Sequence, residues 1–383
     1  MLKKITPFLL VLLFVSCVKF PEDTYKKVLD VPADFDWKTI EKKTLQITQL
    51  SSVLTESGDT VASFLPPGNY DITIGKGSVL NVVQETSTSA FTKAPGSVKQ
   101  RVYFPAQGKY ATVMFEDLFP DKGDMDMNDI VFGLNIQFDL DAQARVLAIW
   151  FHIQPRGIGS SYKNIGIAAN FTNYTNTNPG ISYYIYSDEN LNLSRFFNVD
   201  YLSQTVYTAE KNNSASEVIP ITGDYRASFA DTSELFINVR SVDPAIATTN
   251  FSVAVDLFTK DNYYWDFTLF DEPLPNKINI DVFALLNVRS KEVHLKGQKA
   301  TERFNRQYFV YTMPKTDFST LDNWVWAIIS DKSIRHPLEF VKIFNSYPNF
   351  KTWAEGGGAT NINWYTPMII DSLYTKRNFS YIN

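Results

Sequence analysis

The chain has almost no cysteine, since Cys17 is the only one among 383 residues. A single thiol excludes an intramolecular disulfide framework and any cysteine-based zinc site. The sequence also has no Gly-x-Ser-x-Gly elbow, no His-Glu-x-x-His motif and no glycine-rich phosphate loop. These absences argue against nucleophilic and hydride chemistry and predict a protein that is not an enzyme.

Long apolar runs are missing beyond the N-terminus. There, Lys3 and Lys4 precede an apolar stretch over 5–15 that ends at Ser16 and Cys17. The stretch is shorter than the roughly 20 residues that a transmembrane helix needs, so residues 1–16 are predicted to be an export signal. A cysteine at the cleavage position predicts lipidation of Cys17, although Phe14 stands where a lipobox usually has Leu. The alternative is a cleaved signal with a spare thiol.

A lipidated Cys17 predicts an outer-membrane lipoprotein of the cell envelope whose membrane partner is its own N-terminal lipid anchor. Residues 17–30 are predicted to be a tether, and the sequence leaves open whether the protein faces the periplasm or the outside. Without two signal-peptide lysines, 34 of the 36 basic residues remain against 41 acidic ones, a charge of −7. This balance makes nucleic acid an improbable partner.

From residue 31 onward the dominant pattern alternates apolar and polar residues with a period of two, which is typical of half-buried strands. The strongest pair spans 130–138 and 147–153, with a hairpin at 139–145. Weaker strands are predicted at 45–48, 70–74, 79–82, 102–104, 111–115, 235–239, 251–257, 264–270 and 278–285, and polar loops at 173–180 and 209–216. The pattern predicts a mainly β fold built of β-sandwich domains, with a small N-terminal β region at 31–107 and a larger domain at 108–383.

One segment near the C-terminus has helical spacing instead. Leu338, Val341, Phe344 and Tyr347 recur at intervals of three within 337–355, after a proline that suits a first helical turn. Pro348 is expected to divide the segment into two short helices.

The one motif that carries chemistry is an acidic loop at 116–129. Six carboxylates and a single lysine occur within the fifteen residues 115–129. Two like charges about 4 Å apart repel by about 4 kcal/mol at an effective dielectric near 20, so a folded loop of this kind needs a cation or must take up protons. The predicted ligands are oxygen donors: Glu116, Asp117, Asp124, Asp126, Asn128 and Asp129.

These oxygens favour a hard cation, and calcium tolerates irregular geometry better than magnesium. Asp124, Asp126 and Asn128 have the alternating spacing of a calcium loop. The loop is not an EF-hand, however, because Asp129 stands where an EF-hand needs Gly and Asn135 where it needs Glu. The alternative is a solvated acidic turn.

The phrase Phe115-Glu116-Asp117-Leu118-Phe119-Pro120, followed by Gly123-Asp124-Met125-Asp126-Met127-Asn128-Asp129, resembles the hallmark of the LruC-domain family of bacterial lipoproteins. Two later phrases are also similar to the family: 292–297 (Glu-Val-His-Leu-Lys-Gly) and the Trp-rich stretches of 324–365. Phe119 replaces a Trp of the family, and Met125 and Met127 replace aromatic residues. The resemblance implies an all-β exported lipoprotein with a calcium loop, and it says little about activity, because the family has no established biochemical function.

Two other groups of residues allow a functional interpretation. Glu292 and His294 lie two residues apart on a strand, which favours a structural hydrogen bond over a catalytic pair. Five aromatic residues, Trp324, Trp326, Trp353, Trp364 and Tyr365, are expected to pack helix against sheet, the alternative being a platform for sugar stacking.

The leading hypothesis is therefore a lipid-anchored, calcium-stabilised β module that binds a glycan or protein ligand or has a structural role. The alternatives are a carbohydrate-binding adhesin and a carbohydrate-active enzyme, which would need a carboxylate pair in an aromatic-lined cleft away from the metal.

Overall fold

The computed structural model describes residues 28–85, 98–173, 183–187, 189–197, 205–207, 210–212, 216–256, 265–271, 277–312 and 314–382. The predicted signal peptide 1–16, Cys17 and all but the last three residues of the predicted tether lie outside these ranges. The loop predicted at 173–180 lies almost wholly outside them too. Of the strands predicted at 251–257 and 264–270, the terminal residues Leu257 and Tyr264 are not described.

The described residues form a mainly β protein, as the period-two pattern predicts. The first strands are β1 (Ile40–Ile47), β2 (Ser51–Thr55), β3 (Thr60–Leu65), β4 (Gly68–Gly75), β5 (Leu80–Gln84), β6 (Gln100–Phe104), β7 (Ala111–Phe115), β8 (Ile130–Leu140), β9 (Val146–Gly157) and β10 (Ile165–Thr172). The later strands are β11 (Tyr183–Tyr186), β12 (Thr205–Tyr207), β13 (Glu210–Asn212), β14 (Ser216–Thr222), β15 (Phe251–Asp256), β16 (Phe267–Leu269), β17 (Ile278–Leu286), β18 (Glu292–Val293) and β19 (Ala327–Ser330). The short helices are α1 (Ser194–Phe197), α2 (Tyr308–Tyr311), α3 (Ile343–Ser346) and α4 (Phe350–Glu355). Within the described ranges, no helix is long and apolar enough to cross a membrane.

Two large sheets contain most of these strands. The larger sheet has the order β12-β11-β15-β9-β8-β6-β3-β2-β5, and β7 joins it between β8 and β19. The smaller sheet has the order β13-β14-β10-β17-β16, with β18 paired to β17. Both are antiparallel except for the parallel pair β16–β17. The N-terminal strands β2, β3, β5 and β6 continue the same sheet as β8 and β9, and the domain boundary between 107 and 108 remains a prediction.

The hydrophobic core lies between the two sheets. Phe151 of β9 meets Phe171 of β10 with ring centroids 6.4 Å apart, and Phe138 of β8 meets Phe267 of β16 at 5.5 Å. The hairpin β8–β9 is confirmed, with Ile136 opposite Phe151 and the turn closed by a hydrogen bond from Asp141 N to Arg145 O. Apolar residues on facing sheets therefore bury each other, and the fold is a β-sandwich.

A second cluster, the aromatic cluster, packs outside the main core. It includes Trp37, Trp324, Phe350, Trp353 and Trp364, which are all at most 2% exposed. Several pairs are edge-to-face, such as Trp37 on Trp324 at 5.1 Å and Phe350 on Trp364 at 4.9 Å. Trp326 belongs to the main core and Tyr365 to the aromatic cluster. Because these rings are buried, the prediction that they pack within the protein is confirmed. They expose too little surface to form a platform for sugar stacking.

Three sequence-based assignments were wrong. The segment predicted as a strand at 235–239 makes only a single bridge, Ile237 to Ile158, because Asn238 has a φ of 57° that interrupts an extended chain. The helical segment starts at Ile343 rather than Pro337, since Phe340 has a φ of 64°, while the break at Pro348 between α3 and α4 is confirmed. The predicted loop 209–216 contains β13, which pairs with β14.

Candidate metal centre

The acidic loop is held at both ends by paired strands. Phe115 at the end of β7 lies opposite Ile130 at the start of β8, so residues 116–129 leave and re-enter the same sheet. Within the loop, Met125 and Met127 have φ of 68° and 57° and are buried in the aromatic cluster. Two apolar side chains thus anchor the loop between its alternating polar residues.

Three carboxylates of the loop converge. Glu116, Asp124 and Asp126 each offer an oxygen, and these oxygens all lie within 4.8 Å of one another. Glu116 and Asp126 are buried, at 0% and 1% exposure, whereas Asp124 is half-buried. Such a set of hard, anionic oxygens is the kind that calcium or magnesium binds.

Three buried oxygens in this region find no hydrogen-bond partner among the described residues. They are Glu116 Oε2, Asn128 Oδ1 and Glu339 Oε2. The other oxygen of Glu116 accepts a hydrogen bond from Met127 N at 2.8 Å, which fixes the orientation of the carboxylate. Buried polar atoms normally have partners, and a cation is one kind of partner that these acceptor oxygens could take. The residues present therefore fit a metal ion.

Glu339 is a candidate ligand that the sequence motif does not contain. A Cβ added at Gly159 would lie 2.0 Å from Asn128 Oδ1 and 2.8 Å from Glu339 Oε2, so both oxygens border the same small space above Gly159. The segment that carries Glu339 is tied to the loop, because Phe340 N donates to Asp126 Oδ2 at 2.8 Å and Ile343 N donates to Met125 O at 2.9 Å. Glu339 is some two hundred residues from the loop, and no local pattern indicates the contact.

The other predicted ligands are arranged differently. Asp129 Oδ2 accepts a hydrogen bond from Asp117 N at 2.7 Å, and Asp117 Oδ2 accepts one from Ser160 Oγ at 2.5 Å. Asn128 Nδ2 donates to Asp126 Oδ2 at 2.8 Å. The structure thus brings Glu116, Asp124 and Asp126 together, places Asn128 beside them, and holds Asp117 and Asp129 against neighbouring protein groups.

The electrostatics of the loop are unfavourable without a cation. Burial, followed by repulsion from the neighbouring aspartates, raises the pKa of Glu116 and of Asp129 well above the usual range. The same causes raise the pKa of Asp126 to about 7, and burial together with the loop aspartates raises the pKa of Glu339 to about 8. A bound dication would favour the ionised forms of all four groups.

The one lysine in the loop does not compensate these charges. Lys122 Nζ pairs with Asp322 Oδ2 at 2.5 Å, away from the converging carboxylates. Lys291 Nζ donates to the backbone oxygen of Asp117 at 3.2 Å and to Tyr162 Oη at 2.8 Å. Lys342 lies near enough to Asp124 to oppose the rise of its pKa, but burial still raises that pKa.

The histidines lie elsewhere and have structural partners. His294 is fully buried between Asp281, at 2.5 Å from Nδ1, and Glu292, at 3.0 Å from Nε2, and it stacks on Phe283. Burial disfavours its charged form, but the two carboxylates outweigh burial and raise its pKa to about 9. Glu292 also accepts hydrogen bonds from Thr301, so the pair belongs to a buried ionic network within the smaller sheet.

The fold and the site define a mainly β sandwich protein with an oxygen-rich candidate metal centre in the loop that joins the ends of β7 and β8. The family model described as a domain of unknown function, DUF4842, matches residues 144–365, and the chain belongs to this family. No curated protein matches the sequence.

A solved structure has a similar fold. It is the crystal structure of a putative lipoprotein from Bacteroides ovatus, with 16% identity and a TM-score of 0.51. The similarity covers 89% of this chain and 94% of that one. At this identity the comparison shows the fold.

Proposed function

We propose that the protein is a calcium-stabilised β module of the cell envelope, without enzymatic activity of its own. The observation that carries the proposal is the convergence of Glu116, Asp124 and Asp126, together with the buried Glu116 Oε2, which has no hydrogen-bond partner among the described residues. Calcium suits the site better than magnesium, because the donors combine carboxylates with an amide in an irregular loop.

Calcium at this site would join two distant parts of the chain. The loop supplies Glu116, Asp124 and Asp126, and the segment before α3 supplies Glu339. The hydrogen bond from Phe340 N to Asp126 Oδ2 already connects these two parts of the chain. An ion that binds only the folded state stabilises it by about 2.7 kcal/mol at a hundredfold excess over its dissociation constant.

The envelope location is the second part of the proposal. The export signal at 1–16 and the lipidation of Cys17 would anchor the module to the outer membrane, with residues 17–30 as a tether. A similar fold in a putative lipoprotein, and the resemblance of 115–129, 292–297 and 324–365 to the LruC-domain family, support this placement.

The calcium site is tested by thermal unfolding of the full chain, first in excess chelator and then with calcium or magnesium titrated back. We expect the midpoint to rise with calcium and to rise less with magnesium. Asp124→Ala and Asp126→Ala should abolish the rise, whereas Asp121→Asn, an exposed residue of the same loop, should keep it. An unchanged midpoint with calcium would leave the loop as an ordinary acidic turn.

The lipid anchor is tested separately, by expressing the full chain in a bacterial host and separating membranes from soluble fractions. The unaltered chain should move with the outer membrane, and Cys17→Ser should release it or leave its signal peptide uncleaved. Equal partitioning of both proteins, with the signal peptide cleaved in both, would contradict lipidation without affecting the calcium result.

A further inference from the structure

A groove lies at one end of the N-terminal strands, and its lining does not include the acidic loop. Its volume is about 640 Å³, and its walls come from the turn between β2 and β3, the turn between β4 and β5, the loop between β6 and β7, and residues 379–382 near the C-terminus. This size lies within the range of roughly 300–1,000 Å³ that is typical of small-molecule sites. None of the residues lining it belongs to 116–129.

We propose that this groove binds a neutral oligosaccharide. The proposal supplies the module with a ligand class, and it stands on groove residues alone, so it does not depend on the calcium site.

The walls of the groove are held in place by hydrogen bonds that are independent of any ligand. Asn135 Nδ2, at the buried centre of β8, donates to Ala106 O at 2.8 Å and to Lys109 O at 2.7 Å, which fixes the β6–β7 loop from below. Thr55 N donates to Asp59 O at 2.9 Å, and Ser78 N donates to Gly75 O at 3.0 Å, which closes the other two turns. A preformed site loses little conformational entropy on binding.

The charges in the groove compensate one another. Lys109 Nζ lies 3.2 Å from Asp59 Oδ1, and Lys332 Nζ lies 3.0 Å from Asp331 Oδ2. Glu56 is the remaining charged residue of the lining. A groove with two internal ion pairs and one further carboxylate offers no excess positive charge for a phosphate or an acidic polysaccharide. Charge complementarity therefore favours a ligand without net negative charge.

The uncharged part of the lining is amphipathic. Ser57, Ser78 and Gln154 supply donors and acceptors, while Val79 and the half-buried ring of Tyr110 supply apolar surface. A sugar ring has an apolar C–H face and a rim of hydroxyl groups, so it can pack on an aromatic ring while its hydroxyls exchange hydrogen bonds with polar side chains.

The carboxylates of the groove do not form an acid and base pair for glycoside hydrolysis. Burial opposes the ionised form of Asp59, but hydrogen bonds from Ser57 and Lys109 outweigh it and lower the pKa of Asp59. Asp331 is occupied by Thr39 Oγ1 at 3.0 Å and by Lys332. A general acid needs a raised pKa, so the groove is suited to binding rather than cleavage.

The test is isothermal titration calorimetry on the full chain, in a detergent without a sugar headgroup. The probes are neutral gluco-, manno-, xylo- and galacto-configured oligosaccharides, with oligogalacturonate and oligolysine as charged comparisons. We expect at least one neutral oligosaccharide to bind and both charged probes to fail. Tyr110→Ala should weaken binding by about tenfold or more. Val79→Arg, at a position that is 53% exposed and lines the groove, should also weaken it.

Tyr311→Ala is the matched control, because Tyr311 is 75% exposed and does not line the groove. It should leave the affinity unchanged, and thermal melts of all variants should show that they are folded. Val79→Arg keeps the proposal testable if Tyr110→Ala fails to fold. The proposal is overturned if no neutral oligosaccharide binds, if a charged probe binds instead, or if binding is the same in the folded groove variants as in the unaltered chain.

Discussion

Replacing Glu116 with Gln should have opposite effects on stability with and without calcium. Gln has the same shape and keeps an oxygen that can accept the hydrogen bond from Met127 N, so the substitution removes a charge and little else. In the unaltered protein the oxygens of Glu116, Asp124 and Asp126 lie within 4.8 Å of one another. At an effective dielectric of about 20, two unit charges at that distance repel by about 3 kcal/mol.

In excess chelator, Glu116→Gln should therefore stabilise the fold by up to about 3 kcal/mol. The gain is smaller to the extent that protonation of the carboxylates already reduces their repulsion in the unaltered protein. For a chain of 383 residues with an unfolding entropy of about 2 cal/mol/K per residue, this corresponds to a rise in midpoint of up to roughly 4 °C. With calcium present, the variant should melt below the unaltered protein, because it has lost a ligand. The assay is thermal unfolding by circular dichroism at fixed pH 7.5, with Asp121→Asn as the control.

The direction of the midpoint change with chelator and with calcium decides whether Glu116 is a metal ligand. If Glu116→Gln lowers the midpoint equally with chelator and with calcium, Glu116 is a structural hydrogen-bond acceptor and the metal interpretation fails. A variant that melts higher in chelator but still gains the full calcium shift would show that the ion binds without Glu116.

Three further predictions concern the surroundings of the site and the core. Glu339→Gln should weaken calcium binding about tenfold in a calorimetric titration while leaving the chelated protein folded, and an unchanged affinity would exclude Glu339 as a ligand. Gly159→Ala should abolish calcium binding, since its Cβ would lie 2.0 Å from Asn128 Oδ1; a normal titration would show that this oxygen does not contribute. Burial and nearby arginines lower the pKa of His336 to about 4, so its contribution is fully present above pH 6.5 and is lost as pH falls toward 4, by up to about 3 kcal/mol. His336→Gln can still donate to Asn238 O, so thermal melts between pH 7 and 4.5 should show a smaller loss of stability in this variant than in the unaltered protein. An equal loss in both proteins would contradict the attribution of this pH dependence to His336.

Local patterns predicted the parts of the fold that depend on local geometry. The alternation through β8 and β9 gave the hairpin and its buried face, and the density of carboxylates located the acidic loop. The segment 235–239 is rich in apolar residues but forms only a single bridge, because Asn238 turns the chain. β10 was not predicted, since its small and apolar residues are buried on both faces and give no alternation.

In the candidate sites too, the residues that are close in sequence could be predicted, and the contacts that depend on tertiary packing could not. Glu116, Asp124 and Asp126 are close in sequence and were predicted together, whereas Glu339 reaches them only through the packing of α3 and the preceding segment. The groove is assembled from the β2–β3 turn, the connections β4–β5 and β6–β7, and residues near the C-terminus, each of which is an ordinary polar segment when considered alone. Such a surface exists only after the strands have paired, so spacing along the sequence could not indicate it.

The boundaries of the family match give the metal centre a particular place in the molecule. The matched region 144–365 contains Glu339 and Gly159 but not the loop that supplies Glu116, Asp124 and Asp126. An ion bound by both groups would therefore bridge the matched region and the strands that precede it. The loop and the segment before α3 are already joined by the hydrogen bonds from Phe340 N to Asp126 Oδ2 and from Ile343 N to Met125 O, and calcium would add a link through side-chain oxygens of both parts. Removing calcium should loosen that segment first, and hydrogen exchange of Phe340 N and Ile343 N, which bond to Asp126 and Met125, should accelerate in chelator before the amides of β8 and β9 do. Equal protection of these amides with and without calcium would show that the contact is held by packing alone.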